Sequence, residues 1–251
     1  MEEVSNTSGG PQHITNFSLH LFSVSTFHSD YETGWGTGFL TTTLRKGATG
    51  QNFGHNGATT VSFRAGGDWA AVIAAAQASK ANYSPSVTIQ FGHNDQKPDK
   101  NISMAQLTAN LVKMVEEVRA VPAVPILVTS FSRRRFSNST GKITENLADV
   151  VAATKEAAAE SKAYIIDLNA ASTKYLNAIG PDNSASYNLN PTDFTHLNSQ
   201  GSEVFGNMVA ELIEAEVKEV ERYVQPEKEI VKAIRKGVYY FSEECEGAFC
   251  A

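Results

Sequence analysis

Three short runs, SVTIQF at 86–91, VPILVTSF at 124–131 and AYIIDL at 163–168, most narrow what this chain can fold into. Each is compact and rich in branched or aromatic residues, and the latter two are apolar at successive rather than alternate positions, as strands buried on both faces are. Between them the periodicity changes to that of helices. Leu107, Leu111, Met114, Val115 and Val118 recur at helical spacing within 103–119, ITENLADVVAATKEAAAESK at 143–162 reads as a long helix, and a last helix carries Val204, Phe205, Met208, Val209, Leu212 and Ile213. The same alternation is seen earlier in the chain. FSLHLFSV (17–24) reads as a strand, WGTGFLTTTL (35–44) as a helix, GQNF (50–53) as a short strand, and WAAVIAAAQA (69–78) as a helix with Asp68 as its N-cap. Strands that alternate with helices predict an α/β chain: a parallel sheet covered by helices on both faces.

Length and composition set the remaining bounds. With 251 residues, one sizeable domain is expected. A hydrophobic content of 41% and a charged content of 19% suit a globular chain. The net charge of −6 and the lack of any basic cluster beyond Arg133-Arg134-Arg135 argue against a nucleic-acid partner. No stretch reaches the ~18 to 20 apolar residues of a membrane span. Residues 1–16 read as a loose arm, 17–222 as the domain, and 223–251, rich in Glu and Lys and broken by Pro226, as a charged C-terminal extension. Cys245 and Cys250 either close a small loop or remain thiols. MEEVSNTSGGPQH has neither a basic start nor an apolar stretch, so as written it is no signal peptide, which points to a cytosolic protein or to a misplaced start. A monomer is the expected state.

In open parallel sheets, ligands bind at the carboxyl ends of the strands, so the loops there are the places to seek chemistry. PTDFTHLNSQG (191–201) puts Asp193 three residues before His196, a spacing at which a carboxylate can accept the imidazole Nδ1 proton and stabilise the imidazolium. A polar turn leading into a helix capped by Ser199 explains the same letters. IQFGHNDQ (89–96) follows a strand; Gly92 permits an unusual backbone angle there, and Asn94 offers an amide donor for a developing oxyanion. NFGHNGATTVSF (52–63) offers the Gly57 N–H for the same purpose, or simply a turn with Thr59 or Thr60 capping the next segment.

Together these loops resemble the SGNH (GDSL-type) hydrolases, and most closely their rhamnogalacturonan acetylesterase-like branch, over about Phe17 to Ile213. The resemblance implies a three-layer α/β/α sandwich around about five parallel strands. It implies an esterase with no cofactor and no metal, extracellular, that acts on an acetylated polysaccharide such as rhamnogalacturonan or pectin. In that family a serine attacks the ester, and by position Ser25 is the nucleophile, Asp193 and His196 are its partners, and Ser25, Gly57 and Asn94 form the oxyanion hole. Gly34-Trp35-Gly36 has a family counterpart as well. The first block departs from the pattern: where the family has Gly-Asp-Ser-Thr, this chain has Ser23, Val24, Ser25 and Thr26. That leaves two alternatives beside the acetylesterase: an SGNH esterase or lipase for another acyl ester, or a catalytically impaired relative that binds carbohydrate.

His28 and Asp30 share one short loop with Ser25 and have no partner motif. His55 and His93 lack metal-ligand spacing and are read as hydrogen-bonded or substrate-facing. Arg133, Arg134 and Arg135 follow a strand, at the same end of the sheet as the other loops, where guanidinium groups can grip the carboxylates of a uronic-acid polymer, if they are not simply a solvated loop.

Overall fold

A computed structural model describes the backbone of residues 18–24 and the whole of 34–242. Ser25, Thr26, His28, Asp30, the N-terminal arm, Cys245 and Cys250 lie outside the described residues. Five parallel strands form one sheet: β1 (Ser18–Val24), β2 (Thr49–Asn52), β3 (Tyr83–Ile89), β4 (Val124–Val128) and β5 (Tyr164–Ile166), in the order β2-β1-β3-β4-β5. The chain builds outward from β1 to β2, then crosses back to β3 on the other side of β1. Such a reversal opens a crevice beyond the carboxyl ends of β1 and β3. Val24 lies level with Ile89, so the residues after both strands emerge at the same edge.

Helices cover both faces of the sheet. One core gathers residues of α3 (Asp68–Ser79), α4 (Met104–Ala120) and α5 (Ala148–Ser161) against β3 and β4. The other gathers α1 (Trp35–Thr42), α6 (Leu168–Ala185), α7 (Ser199–Glu216) and α8 (Lys228–Lys236). The periodic residues of the sequence are the ones that point inward: Leu107, Leu111, Met114, Val115 and Val118 of α4 are all buried, as are Val204, Phe205, Met208, Val209 and Ile213 of α7. Each apolar side chain so buried contributes about 1.5–3 kcal/mol of gross burial free energy.

The helix starts differ from expectation in detail. Asp68 lies inside the first turn of α3, and the cap position belongs to Gly67 at φ 91°, a left-handed angle. Asn198, not Ser199, caps α7, its side chain accepting the Gly201 N–H. Residues 143–147 precede α5 without being helical, and Ile143 and Leu147 bury as loop anchors. Thr59 caps the short α2 (Thr60–Ala65) through a reciprocal pair of bonds with Ser62.

The boundary expected at residue 222 is absent from the packing. Val224 bridges antiparallel to Leu44, Gln225 N–H donates to the Thr43 carbonyl at 2.8 Å, and Ile230 and Val231 of α8 are buried. Charge makes this stretch look detached, but its apolar residues recur on one helical face and that face is covered.

Two helices come unusually close. A Cβ on Gly38 of α1 would lie 2.0 Å from the Ser202 carbonyl oxygen, and one on Gly206 of α7 would lie 2.2 Å from the Phe39 nitrogen. The Ser202 hydroxyl fills the contact, donating to the Gly34 carbonyl at 2.6 Å and accepting from Gly38 N–H at 3.0 Å. Trp35, fully buried at the head of α1, donates its indole N–H to Gln90 at 3.1 Å.

Candidate active site

The loop before α7 folds on itself through one carboxylate. Asp193 Oδ1 accepts the backbone N–H groups of Thr195 (2.9 Å) and His196 (2.8 Å), while Oδ2 lies 2.6 Å from His196 Nδ1. A carboxylate can only accept, so Nδ1 carries the proton and Nε2 is the basic nitrogen of the neutral ring. Burial pushes the Asp193 pKa up, but the N–H groups of His196 and Thr195 and the imidazole outweigh it and hold the carboxyl below its ordinary value. Asp193 is therefore ionised at neutral pH. Both side chains keep about a fifth to a quarter of their surface exposed, so Nε2 is within reach of an incoming molecule.

Asn56 Oδ1 stands 3.3 Å from Nε2. It is an acceptor placed to receive the N–H that Nε2 gains on taking a proton. Sequence reasoning misses it between His55 and Gly57; the signal available is that an amide in that loop is brought to the same sheet edge as His196.

The GHND turn is shaped by two constraints. Gly92 has φ 118°, and a Cβ there would lie 2.0 Å from Val150 Cγ1, so no other residue fits. Asp95, fully buried, accepts Gly92 N–H at 3.2 Å, and on its other oxygen the N–H and hydroxyl of Thr60 at 2.9 and 2.6 Å. Asn94 donates one amide hydrogen to the Ala58 carbonyl at 3.2 Å. Gly57, at φ 77°, precedes Ala58. The two loops proposed to hold an oxyanion are thus hydrogen-bonded to each other.

The remaining expected residues separate. His55 is largely exposed and pairs with Asp68 at 2.8 Å. Among the described residues, no three His, Cys, Asp or Glu side chains converge as metal ligands would. His93 does not face substrate: it is 2% exposed, its Nε2 N–H donates to the Phe131 carbonyl at 2.9 Å, and burial together with the Arg133 charge brings its pKa down to about 3, so the ring is neutral. Arg134 does not face substrate either; it is 2% exposed and its guanidinium is turned inward. A triple-Arg run on an irregular loop has no periodicity to say which member points in. Arg133 and Arg135 do line a cleft of about 460 Å³, with Asn146, Asn190, Thr192, Asp193, Phe194 and Thr195. Arg135 lies over the Phe194 ring at 5.2 Å, and Arg133 reaches Asn146 at 3.2 Å.

Residues 24–204 match the model of the GDSL-like Lipase/Acylhydrolase family. The chain belongs to that family. As a member, it is an SGNH-type acylhydrolase in fold and sequence. It is 32% identical over 193 residues to the rhamnogalacturonan acetylesterase RhgT of Bacillus subtilis, covering 72% of this chain and 80% of that protein. Among solved structures, YxiM of Bacillus subtilis matches with a TM-score of 0.68 at 23% identity, over 80% of this chain and 57% of that one. The acetylxylan esterase Axe2 of Geobacillus stearothermophilus matches with a TM-score of 0.57 at 19% identity, over 80% and 96%. At these identities the two structures speak for the α/β/α fold of the GDSL-like family alone.

Proposed function

We propose that this GDSL-like protein is a serine esterase that removes acetyl groups from a cell-wall polysaccharide of the rhamnogalacturonan or pectin type. The observation that carries the reading is the 2.6 Å pair between Asp193 and His196, at the sheet edge where β1 ends one residue before Ser25. In this reading His196 Nε2 takes the Ser25 hydroxyl proton as Oγ attacks the acetyl carbonyl. The oxyanion receives hydrogen bonds from the Gly57 and Ser25 backbone N–H groups and the Asn94 amide. Collapse breaks the ester bond, the sugar oxygen leaves with the proton from His196, and water repeats the sequence on the acyl-enzyme. No cofactor enters.

Two features support the polysaccharide. RhgT, a rhamnogalacturonan acetylesterase, shares 32% of its aligned residues with this chain. Arg133 and Arg135 line a cleft that also borders Asp193, where a uronic-acid carboxylate next to the acetylated sugar would be gripped. The same reading has the enzyme act outside the cell as a monomer.

Purified protein should hydrolyse an activated acetyl ester and release acetate from acetylated rhamnogalacturonan, and Ser25→Ala should abolish both. Robust turnover by Ser25→Ala overturns the assignment. The replacement of Gly-Asp by Ser23-Val24 favours a second reading, a carbohydrate-binding relative with impaired catalysis; binding of the polymer with no turnover would select it.

A further inference from the structure

Arg134 is a buried cation that forms no ion pair with any carboxylate among the described residues, although the Asp193 charge acts on it. Burying a charge without an ion partner is costly, and it is tolerated where hydrogen bonds compensate. Every donor of Arg134 with a described partner goes to one short stretch of chain. Nη2 donates to the His196 carbonyl, and Nη1 to that of Thr195 at 3.5 Å. Nε donates to Asn188 Oδ1 at 2.5 Å, and Asn188 is bridged antiparallel to Leu197. The Arg134 backbone N–H donates to the Phe194 carbonyl at 2.8 Å. Carbonyls 194, 195 and 196 are therefore all held by one residue. Arg134 is in turn held against the loops that follow β4 and β3: its guanidinium lies 5.6 Å over the ring of Phe131, whose carbonyl takes the His93 N–H.

We propose that Arg134 is a positioning residue that orients the His196 imidazole by fixing the peptide planes of Thr195 and His196. The proposal rests on His196 being the base of the proposed esterase. Asp193 grips the loop from within through the 195 and 196 N–H groups, and Arg134 grips it from behind through the carbonyls of the same two residues. The 194–195 and 195–196 peptides are thus held at both ends, their N–H groups by Asp193 and their carbonyls by the Arg134 backbone N–H and Nη1, and the ring is left where Nδ1 meets Asp193. Lysine cannot replace this arrangement, since a point charge lacks the planar fork that serves several acceptors at once.

The test uses the full chain with Arg134→Gln and Arg134→Lys, a small activated acetyl ester, and the low-field proton signal of His196 Nδ1–H, assigned by its loss in His196→Ala. Both Arg134 variants should lose about 100-fold in kcat with KM changed less than about 3-fold, as expected when a reacting group is misplaced by about 1 Å. Their low-field signal should broaden or vanish. Val72→Ala, a core truncation in α3 on the opposite face, should lower thermal stability while keeping both kcat and the signal. Full kcat and an intact signal in either Arg134 variant overturn the proposal, so the lysine variant, which keeps the charge, suffices if the glutamine variant does not fold. A His196→Ala enzyme that stays active would overturn the esterase reading instead, and the proton signal of the Arg134 variants would still report on the clamp.

Discussion

Asp95 and Thr60 are joined twice, the carboxylate accepting both the backbone N–H at 2.9 Å and the hydroxyl at 2.6 Å in a site closed to solvent. Because the other oxygen takes Gly92 N–H, this side chain, together with the Asn94 amide, sets the separation between the loop of Gly57 and that of Asn94. Asp95→Ala leaves buried donors without an acceptor, at about 1–3 kcal/mol. The melting temperature should fall by roughly 2–12 °C, and kcat should drop by about 10-fold or more as the proposed oxyanion donors drift. A variant that melts lower but keeps full kcat would show that Asp95 serves only stability.

Gly92→Ala should be among the most harmful single changes in the molecule. It puts a side chain at φ 118° and within 2.0 Å of Val150 Cγ1. Backbone strain and overpacking of this kind each cost about 1–3 kcal/mol. Chemical denaturation would measure the loss, and an unchanged midpoint would contradict the placement of Gly92 against α5. Gly92→Ala combined with Val150→Ala should recover part of the loss, because the 2.0 Å contact is removed while the strain and a 3.2 Å approach to Val150 Cβ remain.

Acid sensitivity follows from Asp193. Its folded pKa is depressed, so the stability it supplies is fully present above the unfolded carboxylate value of ~3.9 and is lost as pH falls through the lower folded value. Asp193→Asn should therefore be less stable than the native chain near pH 6, and the two should converge as the pH falls through the depressed folded value. Urea midpoints across that range would check this; a constant gap would mean that the destabilisation is not electrostatic. Buried Asp95 has the opposite sign: its pKa is raised by burial, so it works against stability as pH climbs from ~3.9 through its folded value.

Arg133 and Arg135 should matter for acidic substrates alone. Removing one charge-assisted contact to a carboxylate costs about 1.5–3 kcal/mol, so Arg135→Ala should raise KM for an acetylated polyuronide by about 10-fold or more while leaving an uncharged acetyl ester unaffected. Added salt should shrink the difference. Equal behaviour of native and variant enzyme on both substrates would remove the carboxylate-binding role.

Much of this architecture is legible in the sequence because burial and periodicity coincide. The apolar positions of α4 and α7 are readable from spacing, and the three-layer sandwich follows from the order of strands and helices. α6 is hidden because its stretch carries Asn169, Thr173, Asn177, Gly180 and Pro181, poor helix formers, although Leu168, Tyr175, Leu176 and Ile179 mark a buried helical face. Tertiary packing decides it, and Gly180 at φ 80° absorbs the break before the proline. Asp193 and His196 can be paired from sequence because their contact is local. Arg134, Asn56 and Asp95 cannot be read the same way: their partners lie between 35 and 140 residues away, and only the folded chain brings them together.

The near contact of α1 and α7 through Gly38 and Gly206 ties the helix that begins at Trp35 to the helix that begins just after His196. Helices encoded at opposite ends of the domain are bolted to one bracket with almost no slack. Any side chain larger than hydrogen at either glycine would have to prise the two helices apart, so their separation is set by the absence of atoms rather than by their presence.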